Sequence, residues 1–216
     1  MALLAFGNAP AITLDFVCIT GNSDNIDNID NIGAAHNCDL GESKFSVEVI
    51  GNGFGTDFIF DNAFKLGSEN PGISEIYFES SLLVGIDSSN DTTTSKVLLI
   101  EGSGVDFTLD SLKPGNLPGG NPIGFSTAFG TESKSDQANT LQEGELLTVS
   151  ILTLLFSEFN DALADDFRIG LHVRSFNNGG SASFVTFVSP VPVPAAIWLF
   201  GTALIGFIGM SRRTKV

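Results

Sequence analysis

The segment Phe167-Arg168-Ile169-Gly170-Leu171-His172-Val173-Arg174 alternates large apolar residues with polar or small ones without a break. Side chains along a strand point to opposite faces in turn, so one face of this stretch suits a core and the other suits water. Wound as a helix, the same residues would spread round the axis and leave no apolar face. The pattern recurs with Phe45, Val47 and Val49 in Lys44–Ile50, with Val105, Phe107 and Leu109, and with Leu147, Val149 and Ile151. Apolar runs at Asp57–Phe60, Ile76–Ile86, Val97–Glu101 and Phe184–Val188 raise the count to about nine candidate strands. Gly51-Asn52-Gly53 and Lys113–Pro122 punctuate them as turns, and only Phe156–Asp166 reads as a short helix. Nineteen Phe and 24 Gly, against one Tyr and one Trp, suit short strands joined by tight turns. The expectation is one mostly β domain over residues 12–189, a single antiparallel β-sandwich of jelly-roll-like or immunoglobulin-like kind.

Charge narrows the partners. The chain carries a formal −15; all 25 acidic residues precede Pro190, together with seven of the ten basic ones. A body with that field repels phosphate backbones, which argues against nucleic acid as a partner and suits solubility outside a cell. Cys18 and Cys38 enclose a polar, Gly/Asn-rich stretch, and in an oxidising compartment they are expected to pair. His36 lies two residues from Cys38, but no further orienting group marks a thiol nucleophile. His172 falls on the polar face of its strand between Arg168 and Arg174, where a solvated side chain is expected. Asp165 and Asp166, if on a strand, point to opposite faces and make no glycosidase pair. No zinc spacing, phosphate loop or Gly-x-Ser-x-Gly is present, and no enzyme is expected. One segment invites a metal: the Asn-Ile-Asp repeat places Asp24, Asp27 and Asp30 three residues apart, a run of hard oxygen donors suited to Ca²⁺. A low-complexity surface loop explains the same repeat.

The C-terminus carries a different signal. Ala195–Met210 is sixteen residues without a charge, followed by Ser211-Arg212-Arg213-Thr214-Lys215. As a helix the run would rise roughly 24 Å, slightly short of a bilayer's hydrocarbon layer, which local thinning accommodates. A transmembrane helix over 195–210 is therefore expected, with Trp198 near the outer interface and Arg212, Arg213 and Lys215 holding the tail on the cytoplasmic side. Before it stands Ser189-Pro190-Val191-Pro192-Val193-Pro194, whose alternating prolines hold the backbone extended. At the other end, Met1–Phe6 and Ala9-Pro10-Ala11 read as the end of an export signal and its small-x-small cleavage site, making residues 1–11 a leader remnant.

The proline motif Pro192-Val193-Pro194, the apolar run with Trp198-Leu199-Phe200-Gly201 and the Arg212-Arg213 tail together resemble the PEP-CTERM sorting signal. The likeness covers Pro190 to the end of the chain, and Val193 stands where the family's motif has Glu. It implies an exported protein that begins as a single-pass membrane precursor, is recognised by an exosortase, and ends at the cell surface or in an extracellular, biofilm-type matrix. A structural or adhesive role follows from that resemblance. A carbohydrate-binding module acting on exopolysaccharide is the alternative, and it would want exposed aromatics; the body offers Tyr77 as its only Tyr.

Overall fold

The computed structural model describes residues 10–19, 37–39, 41–42, 44–63, 70–89, 95–110, 115–134, 139–176 and 180–186. Ten strands run through them: β1 (Ala11–Cys18), β2 (Phe45–Gly51), β3 (Thr56–Asn62), β4 (Gly72–Glu79), β5 (Val97–Glu101), β6 (Phe107–Asp110), β7 (Phe129–Ser133), β8 (Leu146–Ile151), β9 (Arg168–Arg174) and β10 (Ala182–Thr186). Helix α1 (Phe156–Leu163) lies between β8 and β9, residues 37–39 are helical, and 3-10 turns occur at Ser81–Leu83 and Asn121–Ile123. The strands form a single antiparallel sheet in the order β5-β8-β3-β2-β1-β10-β9-β4-β7-β6.

The sheet is continuous because β1 serves two neighbours. Its first part, Ala11–Asp15, pairs with β2, and its last part, Phe16–Cys18, pairs with β10. A strand that hands its hydrogen bonds from one partner to the other turns a corner, and the two halves of the sheet close over a shared interior. Ring contacts prove the closure. Phe58 on β3 and Phe78 on β4 are separated by four strands in sheet order, yet their ring centroids lie 5.3 Å apart. Phe45 on β2 meets Phe184 on β10 at 5.4 Å. The terminal strands β5 and β6 are joined by residues 102–106, where the Glu101 carboxylate accepts the Phe107 N–H across the seam. The sheet is nearly a barrel.

Both ends are covered. Helix α1 spans the halves at one end; Glu158 accepts the Leu155 N–H at its start, and Phe159 packs edge-on against Phe58 and Phe167. At the other end the buried Asn62 amide donates to the carbonyls of Pro71 (2.8 Å) and Leu141 (3.0 Å), and Leu141 bridges Ile73. Neutral amide donors with two partners are cheap to bury.

Two expectations are corrected here. The body is not a β-sandwich of two separate sheets: β1 belongs to both halves, and jelly-roll-like or immunoglobulin-like packing gives way to one curled sheet. Nor does the fold support a transmembrane helix, since no helix among the described residues is long and apolar enough to cross a membrane. Residues 195–210, where that helix was expected, lie outside the described residues.

Phe58 is fully buried and touches rings from both halves, so Phe58→Ala should cost about 3–5 kcal/mol. Phe54→Ala, at an exposed hairpin tip, should change stability by less than about 0.5 kcal/mol. Urea midpoints of the two variants check the contrast; equal shifts would contradict the closed interior.

Candidate functional site

The inward face of the sheet is apolar, so side chains with chemistry collect on the outside and in the connections. On the outer face, strand register lines up Glu132, Glu75, His172 and Ser183 on β7, β4, β9 and β10. An irregularity between Ile73 and Glu75 sets Ser74 out of register, and its hydroxyl donates to the His172 carbonyl at 3.0 Å. Glu75 accepts from Arg174 Nη2 at 2.6 Å and from the Tyr77 hydroxyl. His172 Nδ1 lies 3.1 Å from Ser183 Oγ.

This row holds a hydroxyl, an imidazole and a carboxylate on adjacent strands, yet it is not laid out for nucleophilic attack. Ser183 is 0% exposed, so no substrate reaches its oxygen, and the Glu75 carboxylate is engaged by Tyr77 and Arg174. The arrangement satisfies buried polar groups across four strands. His172 is 7% exposed, which corrects the expectation of a solvated imidazole.

The cover over this face is the connection between β6 and β7. Leu117 lies directly on β9: a Cβ on Gly170 would come within 2.6 Å of Leu117 Cδ2, so the glycine makes room for the leucine. Leu117 and Phe125 form a small outer core with Ile19, Tyr77 and Val185. Asn116 ties the connection to itself, donating to the Phe125 carbonyl (2.9 Å) and accepting from the Thr127 hydroxyl (3.0 Å). Arg168 ties it to the sheet: its guanidinium pairs with Glu79, donates to the carbonyls of Ile123 (3.1 Å) and Gly124 (2.8 Å), and sits 5.3 Å over the Phe125 ring. A planar fork that serves a carboxylate, two carbonyls and a ring face at once is a role lysine cannot fill.

Two clefts flank Arg168. One, of about 560 Å³, is mostly apolar and runs between Pro122, Ile123, Leu163, Phe167 and Val185. The other, of about 500 Å³, has a mixed lining that includes Ser80, Val84, Ser126, Thr127 and Asp166. Asp165 borders both. Neither aspartate lies on a strand, as the opposite-face argument supposed; both follow α1 in a turn. The Asp166 carboxyl is held below its ordinary range by the Ser81 hydroxyl, with the Ser81 backbone N–H at 2.7 Å and the Ser80 hydroxyl adding to it.

Cys18 and Cys38 form a disulfide, as their spacing suggested. Its setting is close-packed: Gly41, at the end of the turn that carries Cys38, lies where a Cβ would come within 2.1 Å of Phe184 Cζ. Glu42 accepts the Cys18 N–H at 2.7 Å, drawing the turn onto β1. Of the remaining sequence candidates, Asp24, Asp27 and Asp30 lie outside the described residues, as do Pro192, Val193, Pro194, Arg212, Arg213 and Lys215. Among the described residues no group of three or more His, Cys, Asp or Glu could hold a metal ion. Tyr77 is 1% exposed and offers no surface to a sugar ring. Glu75, Tyr77, Arg174 and Ser183 were not legible as a cluster; only β pairing brings them together.

Burial, reinforced by the hydrogen bond to Glu75, pushes the Tyr77 hydroxyl far above its ordinary value of 10.0. Above pH of about 10 the unfolded chain ionises and the folded one does not, so this contribution is complete below that pH and is lost by about 1.4 kcal/mol per pH unit as pH rises further. Tyr77 is the only tyrosine, so the tyrosinate absorbance of the whole chain reports on it. Folded protein at pH of about 11 should show no tyrosinate band until it unfolds; a band at the ordinary midpoint in folded protein would contradict the burial. The bridge is tested separately. Replacing Cys18 and Cys38 together by Ser should lower stability by about 3 kcal/mol on the loop-entropy account, and non-reduced peptide mapping of exported protein should recover the joined pair.

No family model matches the chain, and no curated protein and no solved structure matches it.

Proposed function

We propose that this chain is an exported surface or extracellular-matrix protein, structural or adhesive in role, delivered through a PEP-CTERM-like C-terminal signal that an exosortase reads. The observation that carries this is the constellation Pro192-Val193-Pro194, the charge-free run Ala195–Met210 and the basic Arg212, Arg213 and Lys215, in that order at the end of the sequence. Three properties of the body support it. The Cys18–Cys38 bridge suits an oxidising compartment. The acidic surface suits a protein that works in bulk water and avoids nucleic acid. The body's strands lie in one curled sheet over a shared apolar interior, a form suited to a structural role. The carbohydrate-binding alternative loses its one expected aromatic, because Tyr77 is buried under Leu117 and Phe125.

The test follows the tail. In the native host, the mature protein should lack Arg212, Arg213 and Lys215, and its C-terminal peptide should end upstream of them. Replacing Pro192 and Pro194 by Ala removes the extended peptide and should leave the full-length chain accumulating at the membrane, still exported. Wild-type protein that always retains Arg212 and Arg213 would sink the sorting proposal. An unprocessed chain found in the cytoplasm would sink export with it.

A further inference from the structure

At the tip of the β2–β3 hairpin, Asn52 and Gly53 are both exposed. Asn52 Oδ1 accepts two backbone N–H groups at once, from Phe54 (2.9 Å) and Gly55 (2.8 Å). The Asn52 N–H donates to the Gly55 carbonyl at 3.2 Å, closing the turn. The side-chain nitrogen Nδ2 donates to Asp57 Oδ1 at 2.8 Å, an oxygen that also accepts the Ser150 hydroxyl. The Gly53 N–H differs from its neighbours: those of residues 52, 54 and 55 are all engaged, and it has no acceptor among the described residues. Gly53 takes a φ of +81°, and a Cβ there would meet nothing within 4 Å, so water reaches its nitrogen.

We propose that Asn52 is a self-modification site: the Gly53 nitrogen attacks the Asn52 side-chain carbonyl carbon, and the side-chain amide is lost as ammonia. The step needs nothing beyond the loop and water. Gly53 N gives its proton to solvent, a bond forms from N to Cγ, and negative charge collects on Oδ1. The Cγ–Nδ2 bond then breaks, Nδ2 takes a proton from solvent and leaves as ammonia, and a cyclic succinimide remains. Water opens the ring at one carbonyl or the other, giving aspartate or isoaspartate at position 52. A glycine after the asparagine brings no side chain into the path of attack. The fold adds the rest. The Phe54 and Gly55 N–H groups already point at the oxygen where charge develops, as the donors of an oxyanion hole do. The attacking nitrogen is the one left unbound in the turn. Asn116 gives the contrast: its Oδ1 also accepts from the Thr127 N–H (3.3 Å) and hydroxyl (3.0 Å), but the residue that follows is Leu117, packed on β9. Conversion at position 52 replaces the amide donor with a carboxylate facing Asp57. An attraction becomes a like-charge repulsion, and the tip loosens. The inference stands on the hairpin and is independent of the sorting proposal.

The test holds the full chain in detergent micelles at mildly alkaline pH, folded in one sample and unfolded by urea in the other, and follows position 52 by peptide mapping. A free peptide of the sequence Ile50–Asp57, added to both samples, corrects for the effect of urea on the chemistry. The folded chain should convert Asn52 at least about tenfold faster than the unfolded one, a modest share of what one oxyanion donor supplies in enzymes. Its product should contain isoaspartate as well as aspartate, because only ring opening yields both. Equal or slower conversion in the folded chain would overturn the proposal, and so would aspartate alone, the product of direct hydrolysis. A second measurement removes one donor. Phe54→Pro has no N–H at position 54 and should slow conversion in the folded chain at least about tenfold. A folded Phe54→Pro chain, verified by circular dichroism, that converts as fast as the wild type would also overturn the proposal. Where that variant does not fold, the wild-type comparison decides alone.

Discussion

The ring of Phe58 meets rings from three parts of the chain: Phe78 on β4, Phe159 on α1 and Phe167 at the entry to β9. That contact is possible only if the sheet bends until its halves face each other, so the closed interior depends on this aromatic cluster. Edge-on and stacked pairs of this kind add to the burial of each ring. Phe78 extends the cluster to Phe129 on β7, at 4.6 Å, and to Phe60 on β3, at 6.1 Å. The helix is short for a helix to be stable alone, and its place follows from what Phe159 inserts into.

Much of the strand set was legible because one-sided burial writes itself as period two. Phe45, Val47 and Val49 face the core from β2, as do Leu147, Val149 and Ile151 from β8 and Ile169, Leu171 and Val173 from β9. Two strands were hidden. β1 carries Leu14 and Phe16 inward, but it begins at Ala11, beside an apolar start that read as a leader. β7, Phe129-Gly130-Thr131-Glu132-Ser133, sends a threonine into the interior, so its alternation has no apolar signature. β4 stops at Glu79, short of the run that continues to Ile86, because the Ser80 hydroxyl accepts the Leu82 N–H and starts a 3-10 turn. Period two says which side of a strand is buried and nothing about which strands pair, and so a sandwich and a curled sheet look alike in sequence. The candidate site was least legible where cover comes from a distant segment. Lys113–Pro122 read as a turn, yet Leu117 within it is what buries the outer face of β4 and β9.

The open seam of the near-barrel is managed by side chains. At the outer edge of β5 the Ser95 hydroxyl accepts the Val97 N–H at 3.1 Å and donates to the Val97 carbonyl at 2.7 Å. Those are the groups another strand would have used, so Ser95 blunts the edge without adding a partner. Glu101 does the same service for β6 by taking the Phe107 N–H. Buried polar groups elsewhere are similarly met; among the described residues only the Ser88 hydroxyl is buried without a partner.

The placement of β10 has a mechanical meaning. Thr186, its last residue, leads into the C-terminal stretch, and β10 lies in mid-sheet with β1 on one side and β9 on the other. A pull on the chain beyond Thr186, directed along the strand, loads the hydrogen bonds to both neighbours together, in shear. An edge strand peeled from its end would instead yield one bond at a time. Cys18 stands opposite Phe184 in the β1 register, and its bridge to Cys38 ties a second segment to the strand that shares this load. Tension on the C-terminal side of the body is thus met by the hydrogen bonds of two neighbouring strands where the chain leaves the sheet.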